Sequence, residues 1–151
     1  MEICVVGAVI LEDGKVLCAQ RGAGRSQAGL WEFPGGKVEV DEDPQSALVR
    51  EIEEELDCIV AVGDPVTTTR HAYESLVVVL TTYWCALVAG RPSASEHSRL
   101  VWLTADELVG LDWAPADMPA VEEVRATLLW MAQPDSTDGR RRWTRAQQEL
   151  A

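Results

Sequence analysis

The chain has 151 residues, 47% of them hydrophobic, and a formal net charge of −12. That length holds one domain around a single core and excludes a second full domain. The acidic balance argues against duplex nucleic acid as a partner, since binding it takes a basic surface, and a polyphosphate would need a bound cation between itself and so acidic a protein.

The chain opens with two strands. Residues 2–11 are rich in Val and Ile, and Glu12-Asp13-Gly14 reads as a hairpin turn leading into Val16-Leu17-Cys18-Ala19. A small polar loop spans 22–29, and Leu30-Trp31-Glu32-Phe33 is a short strand stopped by Pro34-Gly35-Gly36. Asp43 followed by Pro44 is a helix start, with Asp as N-cap and Pro at the first helical position, and the helix is expected to run to about Leu56. Residues 58–69, 75–88 and 100–103 read as further strands. A last helix begins near Asp117, where Val121, Val124, Leu128 and Met131 recur at helical spacing and are expected to face the core. The pattern fades beyond Pro134, so residues 1–133 are expected to form the domain, and 134–151, with Arg140, Arg141, Arg142 and Arg145, an arginine-rich tail, frayed or weakly helical.

No stretch approaches the roughly 20 apolar residues of a membrane helix, and no signal-peptide pattern opens the chain. Cys4, Cys18, Cys58 and Cys85 lie far apart, three of them in apolar runs, which reads as buried thiols in a reducing compartment. The expectation is a cytoplasmic protein without a membrane partner.

Glu51, Glu54 and Glu55 are spaced i, i+3, i+4, which places their carboxylates on one side of the expected helix, while Leu48, Ile52 and Leu56 form the neighbouring apolar side. Ala47 is expected to leave open space above the carboxylates. Like charges at these spacings oppose the helix, and toward its C-terminal end the dipole opposes them further, so a divalent cation would remove both penalties. A bare run of glutamates, Glu51 and Glu53 to Glu55, is ordinarily a solvated face; the residues around this one point elsewhere.

From Gly36 the sequence runs through five residues to Glu42, then seven more to Arg50-Glu51-Ile52-Glu53-Glu54-Glu55-Leu56-Asp57-Cys58. This resembles the Nudix box, and the resemblance implies the Nudix fold: an α/β architecture in which a mixed β-sheet is sandwiched between α-helices. It also implies that Glu51, Glu54 and Glu55 ligate Mg2+ or Mn2+ with the Gly35 carbonyl nearby, and that Arg50 and Glu42 form an ion pair fixing loop against helix. Hard oxygen donors suit these ions. The box glycine is Asp57 here, at the helix end where a left-handed backbone is common.

Outside the box, Ala19-Gln20-Arg21, Gly29 to Glu39 and Trp113-Ala114-Pro115-Ala116-Asp117 resemble the MutT branch of the family, and within it the CTP pyrophosphohydrolases. The resemblance implies hydrolysis of a nucleoside triphosphate to monophosphate and pyrophosphate by a monomer or homodimer that sanitises the nucleotide pool. Arg21 and Lys37 would face the phosphates and Phe33 the base; a surface ion pair and a core aromatic are the ordinary alternatives. Asp117 would read the base, because an ionised carboxylate accepts from the cytosine amino group, or would cap the last helix. Glu96 matches a further catalytic and metal-binding carboxylate on a mobile loop, with Glu54 as its rival for the general base. His97 beside it is titratable, although a lone loop histidine usually has no such role. Other readings are an 8-oxo-dGTP diphosphatase, a dinucleoside polyphosphate hydrolase, toward which Tyr73 points weakly, and a catalytically silent nucleotide sensor.

Overall fold

The computed structural model describes residues 1–95 and 97–133. Strands β1 (Glu2–Glu12) and β2 (Lys15–Arg21) form the expected hairpin, pairing Leu11 with Val16 and Glu12 with Lys15. Asp13 and Gly14 between them both have positive φ, 53° and 76°, the backbone a two-residue hairpin turn demands. With β3 (Trp31–Glu32), β4 (Gly35–Lys37), β5 (Ile59–Ala72), β6 (Val77–Ala89) and β7 (His97–Leu103) they make one mixed sheet in the order β3-β2-β1-β6-β5, β4 adding to β1 and β7 to β2. The β1–β6 pair is parallel and the others antiparallel.

The sheet divides along β1. Its flank from Val5 to Gly7 pairs with β4, whereas Leu11 and Glu12 pair with β2. Alternate residues of β1 therefore feed two cores. Val6, Ala8 and Ile10 pack with Ala47, Leu48, Ile52 and Leu56 of α1 (Pro44–Leu56), and Val9 and Leu11 pack with Ala120, Val121, Val124 and Leu128 of α3 (Met118–Met131). The sheet thus lies between α1 and α3, as expected. A short α2 (Ala105–Leu108) adds to the second core, and among the described residues no helix is long and apolar enough to cross a membrane.

Three local expectations are corrected. Pro34-Gly35-Gly36 was read as a strand stop, yet Gly35–Lys37 is strand β4. Glycine is what permits it, since a Cβ on Gly35 would stand 1.9 Å from the Val6 carbonyl oxygen. Strand β7 begins at His97 instead of Leu100, so His97 is a strand residue. Helix α2 was not expected; the Thr104 amide donates to Glu107 Oε1 at 3.1 Å and fixes its start. The arginine-rich segment 134–151 lies outside the described residues.

Candidate active site

Helix α1 starts and stops where its sequence dictates. The Asp43 carboxylate accepts from the Ser46 amide at 3.1 Å, Pro44 takes the first turn, and Asp57 closes the helix with φ 54° and ψ 40°, its amide donating to the Glu53 carbonyl. Ala47 does not leave open space: it is fully buried with Leu48, Ile52 and Leu56, so the apolar side is broader than expected. Anchoring that side on the sheet turns Glu51 toward β4 and leaves Glu54 outermost, its side chain 61% exposed.

Glu51 is seated against Gly36. A Cβ on Gly36 would lie 2.2 Å from the Glu51 carboxyl carbon, so only glycine lets strand and carboxylate approach this closely. Arg50 brackets the arrangement. Its Nε and Nη2 donate to the two Glu42 carboxylate oxygens at 2.8 and 2.9 Å, Nη2 also donates to the Lys37 carbonyl, and Nη1 donates to Glu51 at 2.9 Å and Glu54 at 3.3 Å. The expected Arg50–Glu42 pair is therefore present, and the Arg50 hydrogen bonds hold the Glu42 carboxyl down to about 2.

Glu55 faces inward. Its Oε2 is buried without a hydrogen-bond partner among the described residues. Burial, reinforced by the charges of Glu51 and Glu32, pushes its carboxyl up to about 7, against the opposing pull of His97 and Arg25. The chain before β7 is pinned on the C-terminal end of α1, where the Ser93 amide donates to the Leu56 carbonyl and the Ser95 hydroxyl to the Glu55 carbonyl at 2.9 and 2.7 Å. These bonds bring β7 beside Glu55. Glu96 lies outside the described residues. The His97 imidazole is fully buried, with Nε2 3.9 Å from Glu32 Oε2, and Arg21 pairs with the other Glu32 oxygen. Burial alone would raise the Glu32 carboxyl; His97 and Arg21 outweigh it and hold the group below its ordinary range.

Oxygen donors of this kind, one of them desolvated and unpartnered, fit a hard divalent cation. Among the described residues no three acidic, thiol or imidazole groups are gathered into a finished coordination set. Arg50 Nη1 instead joins Glu51 and Glu54.

On the far side of Glu32, the Asp117 carboxylate accepts from the Phe33 amide at 3.0 Å and makes no helix-capping bond, which removes the capping alternative. Burial pushes its carboxyl up to about 8, with Glu32 adding to the shift and the Phe33 amide opposing it. Burial therefore favours the protonated carboxyl, which donates as well as accepts. Phe33 is buried, its ring 5.0 Å from that of Trp113, and Arg21 is engaged by Glu32 and Ser26. Lys37 is exposed at the end of β4. Tyr73 accepts a hydrogen bond from the Ala116 amide, which places it beside Asp117. Glu32 and Arg25 went unrecognised as neighbours of this candidate site, and His97 was singled out without its Glu32 partner, because the register of β2 with β3 and β7 and the folding of the loop after β2 are long-range outcomes.

A model of the NUDIX domain matches residues 5–123. The chain is 43% identical to the CTP pyrophosphohydrolase of Escherichia coli (strain K12), with 81% of this chain and 90% of that protein covered. It is 39% identical to the putative 8-oxo-dGTP diphosphatase 2 of Mycobacterium tuberculosis (strain ATCC 25618 / H37Rv), with 84% and 90% covered. The solution structure of the E. coli ORF135 protein superposes with a TM-score of 0.76 at 42% identity, covering 89% of this chain and 95% of that one.

Proposed function

Because the chain belongs to the NUDIX domain family, we propose that it is a magnesium-dependent pyrophosphohydrolase converting CTP, dCTP or a modified cytosine nucleotide to the monophosphate and pyrophosphate. The observation that carries this reading is Glu51 seated against Gly36 beside the buried, unpartnered oxygen of Glu55. The 43% identity to a CTP pyrophosphohydrolase supports the choice of base.

Glu51, Glu54, Glu55 and the Gly35 carbonyl would hold Mg2+, or Mn2+ in its place, with Glu96 as a further ligand. When bound, the ion neutralises charge on the phosphate oxygens, which an acidic chain could not otherwise accept. The chain's own groups do the rest. Arg50, locked by Glu42, fixes α1 against β4 and so sets the spacing of the carboxylates. Glu96, with Glu54 as the alternative, takes the proton of the attacking water; the outward side chain of Glu54 reaches the solvent that supplies it. Arg21 and Lys37 lie toward the phosphates, while Asp117, oriented by the Phe33 amide, reads the edge of the base.

A second reading, 8-oxo-dGTP hydrolysis, is favoured by the 39% identity to a putative 8-oxo-dGTP diphosphatase and by the burial of Asp117, which favours the protonated carboxyl that donates as well as accepts. A substrate panel with product identification decides between them. With magnesium, CTP and dCTP are expected to release pyrophosphate with a higher kcat/KM than 8-oxo-dGTP. The reverse order transfers the assignment to the second reading, and no release from any triphosphate leaves a nucleotide sensor.

A further inference from the structure

Of the cations around the acidic edge of α1, Arg50 is bound to Glu42, Glu51 and Glu54, and Arg21 to Glu32. Arg25, on the loop between β2 and β3, is different. Its Nη1 is buried and has no hydrogen-bond partner among the described residues, although its charge acts on Glu55. The loop that carries it is tied down. The Arg25 amide donates to the Gly22 carbonyl at 3.3 Å and the Gly29 amide to the Arg21 carbonyl at 2.9 Å, while Arg21 holds the adjacent Ser26 through both its carbonyl and its hydroxyl.

Arg25 Nη1 and Glu55 Oε2 are thus opposite in charge, both buried, within electrostatic reach, and without a hydrogen bond to each other. A guanidinium nitrogen left this way is costly unless an acceptor arrives with the ligand. We propose that Arg25 is a substrate-binding residue whose guanidinium donates to a phosphate oxygen of the triphosphate, while Glu55 faces the cation that the same phosphates carry. The proposal rests on the triphosphate reading above. It gives an acidic chain a cationic contact not bound to a carboxylate among the described residues, and a planar guanidinium suits phosphate oxygens better than an ammonium does.

The test compares wild type with Arg25→Ala and Arg25→Lys at saturating magnesium, measuring kcat and KM for CTP and, by calorimetry, the binding of inorganic triphosphate. Arg25→Ala is expected to raise KM roughly tenfold with kcat within about twofold, and to weaken inorganic triphosphate in parallel. Arg25→Lys should fall between the two. Should Arg25→Ala fold poorly, the lysine variant decides, because it keeps the charge and loses the fork. Unchanged KM and triphosphate affinity, with less magnesium needed for half-maximal rate, would overturn the proposal and leave Arg25 as a mere counter-charge to Glu55. If wild type turns over no nucleotide, the enzymatic reading fails while the inorganic triphosphate titration still judges Arg25.

Discussion

Half-buried Glu55, with its Oε2 enclosed, and buried Asp117 hold their protons more tightly in the folded chain than in the unfolded one, pushed up to about 7 and about 8 against ordinary values of 4.5 and 3.8. Such groups favour folding at acid pH and lose that contribution as pH rises through the folded value. The melting temperature of the protein in EDTA is therefore expected to fall between about pH 5.5 and 7.5, by roughly 3 °C or more. Saturating magnesium should shrink the difference, because a cation removes the Glu55 share. A melting temperature that rises through this window in EDTA would contradict the burial of these groups. That Glu55 shares a helix face with Glu51 was legible in its spacing. Its desolvation was not, because that depends on β7 being pinned to the end of α1. Asp57 was legible in both respects: a residue tolerant of the left-handed region stands where the helix needs one.

At the scale of elements, the proposed site is built on the contact between β4 and α1, and two adjacent glycines make that contact in different ways. A Cβ on Gly36 would meet the carboxyl end of Glu51, a flexible side chain, whereas one on Gly35 would meet the Val6 backbone. Gly36→Ala is expected to displace Glu51 and lower kcat/KM about a hundredfold with a small change in melting temperature. Gly35→Ala should instead destabilise the fold by about 1–3 kcal/mol through lost β4–β1 pairing. Parallel activity assays and thermal melts check the contrast, and equal effects of the two substitutions in both assays would refute it. Helix α1 and the β1–β2 hairpin were legible because local signals, Asp43-Pro44 and Asp13-Gly14, coincide with the apolar pattern. Strand β4 was not, since two glycines read as a turn until the approach of β1 explains them.

At the scale of the molecule, the proposed function asks a chain with a net charge of −12 to admit a polyanion, and the proposal meets that demand with a cation joined to the carboxylates along one helix edge. The box was readable from its residues and their spacing, and the sheet between two helices followed from the resemblance the box carries. The cluster of Glu32, His97 and Arg21 was not readable, because it is assembled across β2, β3 and β7 from residues whose proximity no local pattern encodes. The most direct test is a calorimetric titration of Mg2+ into wild type and the Glu51→Gln, Glu54→Gln and Glu55→Gln variants, run near pH 7 in two buffers of different ionisation heat. Wild type should bind Mg2+ and release a fraction of a proton from Glu55, and each variant should bind at least about tenfold more weakly. Equal affinity in all four proteins would contradict a cation held by the α1 edge.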